Sequence, residues 1–268
     1  MAGKLFVVAT PIGNREDITF RAVKILGEAD RIAAEDTRHS GMLLKYLDIH
    51  KPMISLHEHN ELSRTDAIAG YLDQGENIAL ITDAGTPGLS DPGAVLVGEL
   101  RQRGYEIIPI PGASALAAAI SVAGLMDSRF AFEGFLPASG KGRRQRLQAL
   151  AEEKRAVFLY EAPHRLQSTL QDLLQAMGDR NITIFRELTK LYEQILTMPL
   201  SEAIGFFPAP KGEFVLMLEA AQEAEADIAG AQAEMANLLG EGMSRKDAAA
   251  KIAREFGLPK NTVYGWDL

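Results

Sequence analysis

The sequence predicts an α/β fold made of two α/β domains followed by a small helical module. Three observations predict it. Short apolar runs of strand length alternate with amphipathic helical patterns from the N-terminus onward. The alternation restarts after about residue 125 without repeating the first half in sequence. The last segment, "MSRKDAAAKIAREFGLPKNTVYGWDL", carries helix and turn signals only. The expected divisions are residues 1–122, 123–220 and 230–268, with the acidic, Ala-rich piece from Ala220 to about Ala229 as a linker.

Taken in order, Leu5-Phe6-Val7-Val8-Ala9 reads as a buried strand, and "TFRAVKILGEAD" as a helix with Ala22, Val23, Ile25 and Leu26 inward. "RIAAED" is a short strand, and "LSRTDAIAGYLDQG" a helix closed by Gly75. The strand Ile78–Thr82 runs into a long Gly/Pro loop, then the helix "AVLVGELRQRG", the strand "YEIIPI" and an Ala-rich helix within "PGASALAAAISVAG". This βαβ rhythm implies a mainly parallel sheet. In the second half "RFAFEGFL", "AVFLYEA", "NITIFREL", "YEQILTM" and "GEFVLMLEA" are strands, with helices in "RRQRLQALAEEK" and "RLQSTLQDLLQAMG". In the last segment Ser244 and Asp247 have capping-box spacing, and Gly257 suits a helix C-terminus. Helix, Gly-containing turn and short helix give a helix-turn-helix-like outline. Its Lys246, Lys251, Arg254 and Lys260 suit a nucleic acid.

The 268 residues are 47% hydrophobic, enough for one large core or two smaller ones. No apolar run approaches 18 residues, and the start lacks the pattern of a signal peptide, so a cytoplasmic protein without a membrane partner is expected. The absence of cysteine excludes disulfides and thiolate metal sites, and the five histidines lack metal-ligand spacing, so no metal is expected. The net charge of −8 argues against a nucleic-acid partner for the chain as a whole. It is unevenly spread, however. Residues 137–155 hold six basic side chains against two acidic ones, and residues 220–242 hold five acidic and no basic ones. Such runs serve equally well as solvated faces.

Four loops follow strands at the side where open α/β sheets bind ligands: "ATPIGN" (9–14), "AEDTR" (34–38), "TDAGTPGLSDPG" (82–93) and "IPGASA" (110–115). Glycines let backbone approach a ligand closely, and Pro11, Pro87, Pro92 and Pro111 stiffen the loops. A phosphate-rich ligand needs backbone donors supported by lysine, arginine or magnesium, and Asp83 and Asp91 would repel it. Carboxylates favour hydroxyls, ammonium groups and other cations. S-adenosylmethionine offers a ribose, an ammonium and a sulfonium without phosphate, although a sugar or polyamine would meet the same demand.

The runs "ATPIGNREDITFRA", "IAAEDTRHS", "LHEHNE", "ITDAGTPGLSDPG", "PGASA", "FEGFLP", "YEAPHR" and "RELTK" together resemble the small-subunit ribosomal RNA cytidine 2′-O-methyltransferases, within the tetrapyrrole-methylase-like superfamily of S-adenosylmethionine enzymes. The resemblance covers residues 4 to about 264, and only the ending "GWDL" departs from it. It implies the tetrapyrrole methylase fold, a cofactor held between the two domains, a homodimer and, as partner, 16S rRNA in the small ribosomal subunit. It implies cofactor contacts at Pro11, Ile12, Gly13, Asp83, Ala84, Gly85, Thr86, Pro111, Gly112, Ala113 and Ser114. From the second domain it adds Phe135, Tyr160, Gly212 and Glu213.

Methyl transfer from a sulfonium is a direct displacement that needs no metal, but a ribose hydroxyl is a weak nucleophile. A base would accelerate it by roughly 10²–10⁴-fold. Glu35, Asp36, His57, Glu58, His59 and Glu61 are the polar groups available, with His59, Glu58 and Asp36 as the expected catalytic residues. Each could instead cap a helix or bridge domains. RNA phosphates are expected at Lys141, Arg143, Arg144 and Arg146 of the glycine-flexible basic loop "GKGRRQRL", and at Arg165, Arg186 and Lys190. The alternative for these last three is pairing with Glu161 and Glu187. Two rival functions fit parts of the chain: a precorrin-type tetrapyrrole C-methyltransferase, and a non-enzymatic nucleic-acid-binding regulator led by the C-terminal helices.

Overall fold

The computed structural model describes residues 2–57, 59–220 and 228–266, in two compact units spanning Met1–Ala220 and Ala221–Leu268. The first unit opens with a five-stranded sheet: β1 (Leu5–Val8), β2 (Arg31–Ala34), β3 (Met53–Ser55), β4 (Ile78–Ile81) and β5 (Ile107–Ile110). The strands lie in the order β3-β2-β4-β1-β5, and every pair is parallel. Helices cover both faces, which explains the unbroken apolar runs: all four residues of β4 are buried. On one face α1 (Phe20–Glu28) and α2 (Thr37–Tyr46) pack Leu26 and Leu44 against Val8, Ile32 and Ile81. On the other, α3 (Glu61–Asp73) and α4 (Ala94–Gln102) pack Ile68, Leu72, Leu96 and Leu100 against Leu5 and Leu80. Because the strands are parallel, their C-terminal ends and all four Gly/Pro loops share one edge.

Sequence reading missed α2 and β3. The first turns of α2 hold Thr37, Arg38, His39 and Ser40, a polar start without apolar periodicity, and β3 has only three residues.

The second sheet corrects the expected rhythm. Its strands β6 (Phe130–Phe135), β7 (Ala156–Glu161), β8 (Asn181–Arg186), β9 (Gln194–Pro199) and β10 (Phe214–Leu218) lie in the order β6-β7-β10-β8-β9. Only β6 and β7 are parallel, and the other pairs are antiparallel. The reason is local. Residues 187–193 turn the chain straight back from β8 into β9, with Glu187 and Thr189 in left-handed conformations (φ 54° and 67°). No helix intervenes, so the strands must run antiparallel. One face carries α6 (Gly140–Ala151), α7 (Leu166–Met177) and the short α8 (Leu200–Phe206). The other receives α5 (Ala115–Val122), which packs with Ile12 against Phe158, Phe185, Val215 and Met217. The alanines of α5 thus reflect a helix pressed against the second sheet from the first half of the chain.

The second unit holds α9 (Ile228–Gly240), α10 (Arg245–Glu255) and α11 (Lys260–Tyr264) around Ala231, Met235, Leu238, Ala249, Ile252 and Val263. The Ser244 side chain accepts a hydrogen bond from the Asp247 amide, and Gly257 adopts φ 66°. Residues 221–227 of the expected linker lie outside the described residues. From Ile228 onward the described residues are already helical in α9, with Ala231, Met235 and Leu238 recurring at helical spacing.

Candidate functional site: a carboxylate-rich cleft between two sheets

The loops are tied to one another. The amide of Thr10 donates to the Gly85 carbonyl at 2.8 Å, the Gly85 amide donates back at 3.0 Å, and the Thr10 hydroxyl donates to the Thr82 carbonyl at 3.2 Å. The Thr86 hydroxyl donates to the Ala113 carbonyl at 3.1 Å. Gly85 has φ 81°, a conformation L side chains rarely adopt. Gly13 is needed for a different reason: a Cβ there would lie 2.5 Å from Cγ of Lys190, whose stem crosses over it. From the other side, the Tyr160 hydroxyl accepts the Leu116 amide at 3.0 Å, fixing the start of α5 to β7. The Tyr160 ring meets those of Phe132 and Phe135 edge-on, with centroids 5.0 and 5.6 Å away.

These contacts enclose a cavity of about 310 Å³. Among the cofactor residues expected from the sequence, Ile12, Ala84, Gly85, Thr86, Ser114, Phe135, Tyr160 and Glu213 line it. Sequence reasoning missed Leu89, Phe185, Leu188 and Val215 as lining residues, while Asp91, read there as a carboxylate that repels phosphate and favours cations, lines the cavity. The apolar ones carried no signal beyond that of core residues. Pro11, Gly13 and Asp83 line a second, adjoining cavity of about 450 Å³, which shares Ile12, Ala84 and Glu213 with the first. Arg15, His39, Met42, Leu43 and Lys190 complete it. Pro111, Gly112, Ala113 and Gly212 line neither cavity. Gly112 lets the loop after β5 pass close to Ala9, and Gly212 makes room for Glu187.

The cleft has unbalanced negative charge. Burial, followed by repulsion from Glu35, Asp83 and Glu213, pushes the Asp91 carboxyl up to about 7. Burial and then Asp83 raise Glu35 above the ordinary carboxylate range. Lys190, the one lysine lining these cavities among the described residues, is already engaged, its Nζ lying 2.9 Å from Glu187 and 2.7 Å from Glu213. Among the described residues no group of three or more acidic or histidine side chains is arranged to hold a metal. The cleft therefore offers an organic cation both apolar walls and carboxylates.

Of the expected catalytic residues that are described, neither His59 nor Asp36 lines either cavity. His59 is exposed, its ring 6.1 Å from that of His57, and it lines neither cavity. Asp36 caps α2 by accepting the Arg38 amide at 2.8 Å, while its own amide donates to Asp83 at 3.2 Å. Glu58 lies outside the described residues. Glu61 is only 5% exposed, and one of its oxygens accepts the amides of Gly93 and Leu96, each at 2.9 Å. Much of the polarity of "HEHNE" thus anchors the start of α4 and its own turn, where Asn60 accepts the His57 amide.

The basic run also needs correction. "GKGRRQRL" is the first part of α6 and not a flexible loop. Arg143 is buried beneath it, bonded through Nε to Asp172 at 2.7 Å and also to the Thr169 hydroxyl and the Pro137 carbonyl, so it is unavailable to RNA. The periodicity explains this: Arg143, Leu147 and Leu150 fall on the inward face. Arg146 pairs with Glu133 at 2.6 Å. Arg165 reaches the Leu136 carbonyl and approaches Glu161 at 3.5 Å, and Arg186 donates to the Lys211 carbonyl and Gln194. Of the seven cations, only Lys141 and Arg144 are exposed and without a carboxylate partner among the described residues.

Comparison with known proteins agrees with this architecture. Residues 4–204 match the family of tetrapyrrole (corrin/porphyrin) methylases, and residues 222–268 match the RsmI C-terminal HTH domain. The chain is 47% identical to the ribosomal RNA small subunit methyltransferase I of Synechocystis sp., covering 98% of this chain and 96% of the relative. The protein of that name from Pasteurella multocida is 45% identical, over 100% and 98%. The crystal structure of uroporphyrin-III C-methyl transferase from Thermus thermophilus, complexed with S-adenyl homocysteine, shares the fold. It superposes with a TM-score of 0.59 at 17% identity, covering 80% of this chain and 97% of that one. The chain belongs to the tetrapyrrole (corrin/porphyrin) methylase family, and within it to the ribosomal RNA small subunit methyltransferase I group.

Proposed function

We propose that the protein uses S-adenosylmethionine to methylate the 2′-oxygen of a cytidine ribose in 16S rRNA of the small ribosomal subunit. The observation that carries the cofactor is a largely apolar cavity lined by Asp91 and Glu213 and by no basic side chain, with Asp91 repelled by Glu35, Asp83 and Glu213. The donor set fits the group: a ligand bearing ammonium and sulfonium charge relieves that repulsion, whereas the phosphates of ATP or NAD would add to it. The acceptor follows from family membership, since the relatives are named for the methylation of small-subunit ribosomal RNA.

When bound, the cofactor supplies a methyl group on a sulfonium, open to direct displacement by an oxygen nucleophile. The chain's own residues bind and orient. Asp91 and Glu213 meet positive charge, while Phe135, Tyr160 and Phe185 offer aromatic walls that suit a purine and exclude water. Thr10, Gly85 and Thr86 lock the loops, so that little ordering is left for the moment of binding. Holding the ribose oxygen in line behind the methyl group contributes through positioning, worth up to about 7–11 kcal/mol for well-oriented reactants.

A homodimer and a cytoplasmic location belong to the same reading. Exposed Phe20, Met126 and Leu191 leave apolar surface for a second copy, and no described helix is long and apolar enough to cross a membrane. Light scattering that returned the mass of a single chain would remove the dimer. For the reaction, labelled methyl is offered with small subunits from cells lacking the protein, in parallel with a tetrapyrrole acceptor. Label in the RNA supports the proposal, and label in the tetrapyrrole alone transfers it to the C-methylating rival.

A further inference from the structure

We infer that the second cavity is the subsite for the acceptor nucleotide, with Arg15 and His39 gripping a phosphate beside the ribose to be methylated. The inference rests on the function proposed above. The two cavities share a wall at Ile12, Ala84 and Glu213, so a group seated in one is next to a group seated in the other. Their chemistry differs. The first cavity is lined by acidic and apolar groups and no basic side chain, whereas the second adds Arg15, His39 and Lys190.

Lys190 is held by Glu187 and Glu213, but Arg15 and His39 are exposed and have no carboxylate partner among the described residues. The Arg15 guanidinium lies over the ring of Tyr46, 4.8 Å from its centroid. That contact orients the guanidinium and leaves its charge unneutralised, which suits a fork that grips phosphate oxygens. Met42 lines the same cavity and is 57% exposed, giving a base an apolar surface to lie against. The cavity's size, about 450 Å³, lies within the range of small-molecule sites.

The arrangement also sets direction. Asp83, Arg15 and His39 all line only the second cavity, but Asp83 lies next in sequence to Ala84, which lines both. A carboxylate repels phosphate and accepts hydrogen bonds from hydroxyls. A nucleotide therefore enters with its ribose hydroxyls toward Asp83 and the first cavity, and its phosphate toward Arg15 and His39. That order presents a 2′-oxygen to the methyl donor.

The test compares wild type with Arg15→Ala, Arg15→Glu, Arg15→Lys and His39→Ala, and uses Arg101→Ala on the exposed end of α4 as control. Three quantities are read: the dissociation constant for S-adenosylmethionine, KM and kcat for small subunits, and the salt dependence of KM. Arg15→Ala is expected to raise KM roughly ten- to a hundredfold and to lower the salt slope by about one. Arg15→Glu is expected to do more, Arg15→Lys to recover part and His39→Ala to show a smaller rise. Cofactor affinity and melting temperature stay at wild-type values throughout. An active wild type with unchanged KM and salt slope in Arg15→Glu overturns the subsite alone. A loss of cofactor affinity matching the loss of transfer also overturns it, by making Arg15 structural. A wild type that methylates no subunit refutes the functional reading, and the subsite with it.

Discussion

The raised carboxyl of Asp91 makes the cleft a proton-linked cation site. In the ligand-free protein it titrates at about 7 against an ordinary 3.8, because burial and then Glu35, Asp83 and Glu213 disfavour its charge. A bound cation reverses the preference, so binding expels the proton whenever Asp91 holds one. With a pKa near 7, Asp91 is about one-eleventh ionised at pH 6 and ten-elevenths at pH 8. The dissociation constant for S-adenosylmethionine should therefore fall about tenfold, or ~1.4 kcal/mol, between those values. Stability of the free protein runs the other way. The folded pKa lies above the unfolded one, so the stabilising contribution is complete below about pH 4 and is lost as pH rises through about 7. Calorimetric titration at pH 6, 7 and 8 in buffers of different ionisation enthalpy reads both the affinity and the proton released. Asp91→Asn should flatten the affinity profile and shift ligand-free melting upward at pH 8. A flat profile in wild type, or an equal slope in Asp91→Asn, would refute the reasoning.

Other outcomes follow from the hydrogen-bond network. Glu61→Ala leaves the Gly93 and Leu96 amides without their acceptor and should cost about 2–4 kcal/mol in denaturant unfolding, with most of it restored in Glu61→Gln. Arg143→Met should lower stability by about 2–4 kcal/mol while leaving KM for subunits unchanged, since its guanidinium serves Asp172, Thr169 and the Pro137 carbonyl. A raised KM in well-folded protein would restore it to the RNA-contacting set. Tyr160→Phe removes the acceptor of the Leu116 amide, so a loss of about 1 kcal/mol and a several-fold weaker cofactor affinity are expected by melting and calorimetry. Ser244→Ala removes the cap of α10 and should lower the stability of the C-terminal unit by about 1 kcal/mol, read by helix-specific circular dichroism on the full chain.

The parallel sheet was legible because each strand is a short, wholly apolar run followed by Gly, Pro or a helix cap, as in Ile78–Ile81 before "TDAGTPGLSDPG". The acidic character of the loops also pointed to a cationic ligand before any geometry was known. The antiparallel second sheet was not legible, because buried strands read alike in either direction and the reversal depends on the turn at residues 187–193. The role of "HEHNE" was hidden for a related reason. A glutamate that caps a distant helix, as Glu61 does for α4, has no local mark separating it from a catalytic one. Arg143 was misread because charge was counted along the chain, whereas the helix period turns that residue inward beside Leu147 and Leu150. Arg15 and His39 were passed over because they sit singly in different motifs, and only the fold brings them to one cavity.

The measurement that tests the central claim most directly locates the methyl group. Small subunits methylated in vitro with labelled S-adenosylmethionine are digested with alkali, which cleaves RNA next to a free 2′-hydroxyl and spares the bond next to a methylated one. Label recovered in one alkali-resistant dinucleotide that begins with a 2′-O-methylcytidine is the predicted result. Label on a base, spread over many nucleotides or absent from the RNA would contradict the account.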